Sequence, residues 1–158
     1  MKRFHVHLHV ADLDANIRFY STLFDQPPAR TEADYAKWML SDPPVNFAIS
    51  TRGAQPGLDH LGIQVDSAAE LAALKQHAAL ADQALLDEGE TSCCYARSEK
   101  HWVTDPQGLA WEQFHTLDSI PVFSESTSPS KGACCAPQAA APAAAGCCPP
   151  STSGAACC

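Results

Sequence analysis

An α+β fold is predicted, built from two pseudo-repeated strand–helix–strands modules (βαβββ) around a cleft, with a disordered tail behind them. Three observations carry this: a faint internal duplication, strict apolar alternation in two segments, and an abrupt change of composition near Glu125.

The duplication has an offset of 55 residues. HVHLHVADLDANIRFYSTLF begins at His5 and HLGIQVDSAAELAALKQHAAL begins at His60. His5 then meets His60, Val6 meets Leu61, Leu8 meets Ile63 and Val10 meets Val65. In the first strand Val6, Leu8 and Val10 share one face, while His5, His7 and His9 share the other. In its repeat Leu61, Ile63 and Val65 oppose His60, Gly62 and Gln64. The apolar faces pack on helices, so the polar faces must line a cleft or meet water.

Each strand leads into a helix. Asp12 or Asp14 caps the first, where Ile17, Tyr20, Leu23 and Phe24 fall at helical spacing. Ser67 caps the second, Glu70 completes a capping-box pattern, and Leu71, Leu74 and Ala78 form a buried stripe. Further strands are expected at 36–40, 45–50, 92–96, 101–104 and 109–115. Asp42-Pro43-Pro44 and Asp105-Pro106-Gln107-Gly108 supply turns between them. The repeats run over about 1–55 and 56–120 of a domain spanning 1–123.

The tail, 124–158, holds ten alanines, five prolines and six of the eight cysteines, and nothing large and apolar follows Phe123. Such a segment cannot bury enough surface to offset its ordering entropy, so disorder is expected. Its two charges cancel, which leaves the net charge of −8 on the folded domain. That balance argues against nucleic acid or an anionic membrane as partner. No apolar run is long enough to span a bilayer, and histidines interrupt the N-terminus too early for a signal peptide. A cytoplasmic protein with reduced thiols is expected.

His5 and His60 head equivalent strands, so a pseudo-twofold would bring their imidazoles together. LAWEQF supplies a third donor, Glu112, a carboxylate within a core-like strand that needs a partner. Two histidines and a carboxylate leave open positions on a metal, an arrangement associated with non-haem Fe(II). Mn, Co, Ni and Zn accept the same donors. His7 and His9 share the face of His5 and are expected as solvated cleft residues. His77 and His115 are not assigned as ligands.

All eight cysteines are adjacent pairs: Cys93-Cys94, Cys134-Cys135, Cys147-Cys148 and Cys157-Cys158. Neighbouring Cα atoms lie about 3.8 Å apart, shorter than the roughly 4.4–6.8 Å that disulfides prefer. Paired free thiols are the expected state, and a vicinal dithiol chelates soft ions such as trivalent arsenic, antimony or Cd(II). Only Cys93-Cys94 falls within the domain.

With these residues in view, HxHLHVADLDANIRFYSTLF and LDHLGIQV resemble the vicinal-oxygen-chelate superfamily of glyoxalases, extradiol dioxygenases and bleomycin-resistance proteins. More narrowly, TSCCYARSEKHWVTDPQGLAWEQF resembles the ArsI branch of organoarsenical carbon–arsenic lyases and their cadmium-induced CadI-like relatives. The resemblance covers about Met1–Leu117. It implies metal ligands at His5, His60 and Glu112, a substrate dithiol at Cys93 and Cys94, and an Fe(II)- and O₂-dependent cleavage of trivalent methyl- or aryl-arsenicals. Two departures stand out. Four-ligand glyoxalases carry another carboxylate on the last strand of the first half, where this chain reads VNFAIS. Members of the ArsI branch can carry glutamine at the place of His5.

Two other functions fit parts of this pattern. A Cd(II)- or arsenite-sequestering protein would bind without turnover. A glyoxalase-like isomerase would be indifferent to O₂ and to Cys93. Tyr95, Lys100 and Trp102 are candidates for the cleft wall. The cleft can assemble within one chain or by exchange of halves in a homodimer.

Overall fold

The computed structural model describes residues 2–81 and 85–122. The expected boundary near 123 and the tail, with Cys134-Cys135, Cys147-Cys148 and Cys157-Cys158, lie outside the described residues. The first half contains β1 (Arg3–His9), α1 (Leu13–Leu23), β2 (Arg30–Glu32), β3 (Tyr35–Ser41) and β4 (Pro44–Ser50). The second contains β5 (Gly57–Val65), α2 (Ala68–Leu80), β6 (Leu85–Cys93), β7 (Ala96–Thr104) and β8 (Ala110–Ser119).

All the strands join one eight-stranded sheet in the order β2-β3-β4-β1-β5-β8-β7-β6. The order β2-β3-β4-β1 in one half maps onto β6-β7-β8-β5 in the other, so the repeat is an approximate twofold. The two repeat-leading strands meet antiparallel at the centre, with Val6 opposite Leu61 and His7 opposite His60. Each also runs parallel to its own half's last strand, β1 with β4 and β5 with β8. Both halves therefore close the sheet within one chain.

Local chemistry sets the helix starts. Asp12, rather than Asp14, caps α1, and its Oδ1 accepts from Ala15 N at 2.9 Å. Ser67 caps α2 and accepts from Glu70 N at 3.3 Å. The Glu70 carboxylate reaches back to Asp66 N at 3.0 Å, one residue beyond the usual capping-box partner. Alternation divides the sheet as expected. Val6, Leu8, Trp38, Phe47 and Ile49 pack with Ile17, Tyr20 and Phe24 of α1. Val65 packs with Leu71 and Leu74 of α2.

Three strand expectations need correction. The segment 92–96 is not a strand: β6 ends at Cys93, Cys94 and Tyr95 form a turn, and β7 starts at Ala96. The aromatic and cysteine content looked extended, but both turn residues have positive φ, 55° and 62°. The strand expected at 101–104 is only the end of β7, and short, polar β2 was not foreseen. Among the described residues, no helix is long and apolar enough to cross a membrane.

Candidate metal centre

Register places three donors in one patch on the sheet's inner face. His5 on β1 lies opposite Gly62 on β5, and Gly62 lies opposite Glu112 on β8. Gly62 leaves the space above itself empty of side chain. A Cβ there would lie 2.3 Å from the Glu112 carbonyl oxygen, so only glycine lets β8 approach this closely. His60 sits one pleat along. Its Nε2 is 3.1 Å from His5 Nε2 and 3.5 Å from Glu112 Oε2, and His5 Nε2 is 3.6 Å from the same oxygen. All three residues are buried.

The outer edges of both imidazoles are occupied. His5 Nδ1 lies 2.9 Å from the Asn46 carbonyl, which can only accept, so Nδ1 carries the hydrogen. His60 Nδ1 lies 2.6 Å from Asp59 Oδ2 and is likewise a donor. The neutral rings therefore turn lone pairs from both Nε2 atoms toward each other and toward a carboxylate. Three acceptors converge without a donor, and a cation must sit among them, either a proton or a metal. Burial works to lower the His60 pKa, but hydrogen bonds to Asp59 and Glu112 and their charges outweigh it and raise it. His5 is held neutral by burial and by His60, with its pKa lowered to about 4. Of the two rings, His60 is therefore the one that takes a proton more readily.

Glu112 remains ionised. Burial opposes this, yet Lys100 beside it, with His60 and His5, holds its pKa well below the usual carboxylate range. Lys100 Nζ donates to Glu112 Oε1 at 2.8 Å, and only Oε2 faces the histidines. Burial lowers the Lys100 pKa, but Glu112, Cys93 and Cys94 reverse that shift and keep it cationic.

The donors open onto a recess that is partly open to solvent. Cys93, Cys94, Lys100, Lys37, Tyr35 and Phe114 are among its walls. The two thiols are not joined by a disulfide, and their Sγ atoms lie 3.2 Å apart; Cys93 is buried and Cys94 half-buried. The fold thus brings His5, His60, Glu112, Cys93 and Cys94 around one space. β4 turns Asn46 and Ala48 toward it and offers no further carboxylate.

Other residues fall elsewhere. His7 was expected to be solvated but is buried, with Nε2 3.0 Å from Ser50 Oγ, because neighbouring strands cover that row. His9 is partly buried beside Asp59. His77 is exposed on α2, and His115 is not part of the donor cluster. Of the three wall candidates, Lys100 lines the recess, Trp102 packs edge-on to the His60 ring at 5.0 Å, and Tyr95 packs against Tyr35. Sequence reasoning missed Asp59, Asn46 and the spacing role of Gly62. Only Asp59 had a local signal, its place directly before His60.

Scanned against models of known protein families, the sequence matches none. Individual relatives do match. A "Trivalent organoarsenical cleaving enzyme" of Bacillus sp. (strain MD1) is 39% identical over 154 residues, covering 88% of this chain and 93% of that one. "Cadmium-induced protein CadI" of Mycobacterium tuberculosis is 35% identical over 144 residues, covering 85% and 93%. An extradiol ring-cleaving dioxygenase from B. fuscum superposes with a TM-score of 0.56 over 73% of this chain and 32% of that one. At 14% identity that likeness concerns the fold alone. By these relatives the chain belongs to the family of trivalent organoarsenical cleaving enzymes and CadI-type proteins, and its fold is of the vicinal-oxygen-chelate kind.

Proposed function

We propose that this chain cleaves the carbon–arsenic bond of trivalent organoarsenicals, methyl- or aryl-arsenites, and releases inorganic arsenite in a reaction that uses Fe(II) and O₂. The observation that carries this reading is the shared recess. A dithiol suited to arsenic and a two-histidine, one-carboxylate donor set face the same space. The names of the relatives support the substrate class.

Each group then has a defined task. The Cys93 and Cys94 thiols would exchange with the two hydroxyls of R–As(OH)₂, forming two As–S bonds and releasing two waters. The organic substituent is then arsenic's one remaining bond, held within the recess rather than in bulk solvent. Lys100 favours the anionic forms of both Glu112 and the thiols. His5 and His60, with tautomers set by Asn46 and Asp59, would hold the metal together with Glu112. When bound, ferrous iron supplies dioxygen activation. Tyr35 and Phe114 wall the recess against water.

The dithiol alone would also suit a sequestering protein, but the adjoining donor set favours turnover. The absence of a fourth carboxylate on β4 weighs against a four-ligand glyoxalase centre. The test is arsenite release by Fe(II)-loaded protein given a trivalent organoarsenical, with and without oxygen. Wild type should release arsenite only aerobically, and Cys93→Ala should release none. Tight binding without release under either atmosphere, with several metals tried, would replace this reading with sequestration.

A further inference from the structure

The dithiol sits on an unfavourable turn. Cys94 and Tyr95 connect β6 to β7 as a two-residue hairpin loop, and both lie in the left-handed region. Such loops favour Asn and Gly, whose side chains tolerate that backbone. A cysteine and a tyrosine hold it only where their surroundings over-determine it.

Those surroundings come from the opposite edge of the sheet. β2 and β6 are its two outermost strands, yet Arg30 of β2 reaches the hairpin. Arg30 Nη1 donates to the Tyr95 carbonyl at 3.0 Å and to Ser119 Oγ at 2.6 Å, and Nη2 donates to the Ile120 carbonyl at 2.8 Å. Its guanidinium lies 4.8 Å from the centre of the Tyr95 ring. Glu32 accepts from Arg30 Nε at 2.9 Å and orients the fork. Tyr95 in turn donates its hydroxyl to Asp34 Oδ1 at 2.6 Å and packs beside Tyr35. Asp34 is itself paired with Arg52. The first half therefore grips the turn by its backbone, its ring and its hydroxyl.

We propose that Arg30 and Tyr95 form a latch that positions the dithiol, holding the Cys93–Cys94 hairpin against the first half with the two sulfurs at chelating separation. The 3.2 Å between the sulfurs exceeds the roughly 2.05 Å of a disulfide bond, yet lets both reach one atom. A preorganised pair avoids an ordering cost when it binds. This inference rests on the dithiol taking a trivalent arsenical, so its test must separate the two.

The probe is phenylarsenite, titrated anaerobically into the metal-loaded wild type, Arg30→Met, Arg30→Lys and Tyr95→Gly. Iodoacetamide alkylation of each thiol and Co(II) affinity serve as controls. Arg30→Met should weaken phenylarsenite binding tenfold or more, with alkylation rates and Co(II) affinity unchanged. Arg30→Lys should recover part of the loss, since an ammonium cannot reproduce the fork. Tyr95→Gly is the sharper variant. A turn that needed only positive φ would bind as well or better with glycine, whereas the latch predicts tenfold weaker binding. Wild-type affinity in folded Arg30→Met, or in Tyr95→Gly should Arg30→Met not fold, overturns the latch alone. A wild type that binds no phenylarsenite overturns the arsenical reading and the latch with it.

Discussion

Beneath α1, the outer face of the first half is aromatic. Tyr20 lies 4.5 Å from Phe47, Phe24 lies 5.2 Å from the same ring, and Trp38 is fully buried between them. Beneath α2, the corresponding surface of the second half holds Val65, Leu71 and Leu74. The inner faces differ in the opposite direction. The first half contributes His5 and its support from Asn46. The second contributes His60, Glu112, Lys100 and both cysteines, with Lys100 and Glu112 buried as a pair. One topology, used twice, carries an aromatic core and one buried donor, His5, in one copy and most of the polar recess wall in the other. Buried charge is tolerated in the leaner half because each charge there has a partner.

That contrast can be broken experimentally. Glu112→Ala carries the largest expected effect. It should abolish metal retention and turnover and, by stranding the Lys100 ammonium, lower stability by about 3–5 kcal/mol in denaturant titrations. Adding Lys100→Met should restore much of that stability but none of the metal binding. If the double variant still binds metal, Glu112 is not a ligand. In the first half, Trp38→Ala should cost about 3–5 kcal/mol of stability through the cavity it leaves among aromatic rings. Leu74→Ala should lie nearer 2 kcal/mol, because its surroundings are smaller and less interlocked. Equal losses would show that the two cores are equivalent.

A smaller change tests the support of the centre. Asp59→Asn keeps the size of the side chain but removes the carboxylate that holds the hydrogen on His60 Nδ1. Metal affinity should fall by roughly 10- to 100-fold, with little change in secondary structure by circular dichroism. The mildest perturbation is pH. The folded-state pKa of His60 lies above 6.5, and its proton occupies the nitrogen that the metal needs. Metal affinity should therefore fall as pH drops through that value, by about tenfold per unit if one proton is released. Equilibrium dialysis at several pH values would read this slope, and a flat profile would remove His60 from the centre.

Much of this was legible in the chain because it is local or periodic. Alternation in HVHLHV and HLGIQV sorted donors from core residues, and the offset of 55 paired His5 with His60 before any contact was known. The caps Asp12 and Ser67 act within three or four residues, so they too were readable. Cys93-Cys94 stood out by chemistry, but its conformation did not. Cys94 and Tyr95 have positive φ, and the groups that contact Tyr95, Arg30 and Asp34, lie more than 60 residues from it in the chain.

The sequence by itself determined the two modules, their polar and apolar faces, and the residue types able to bind a metal and a thiophilic ligand. Only the tertiary structure decided that Lys100 neutralises Glu112, that Gly62 lets the backbone of β8 come close, and that Arg30 of β2 reaches across to the dithiol turn. The physical reason is one of range. Propensity, capping and alternation act along the chain, while charge pairing, close backbone approach and the latching of sheet edges depend on which strands become neighbours.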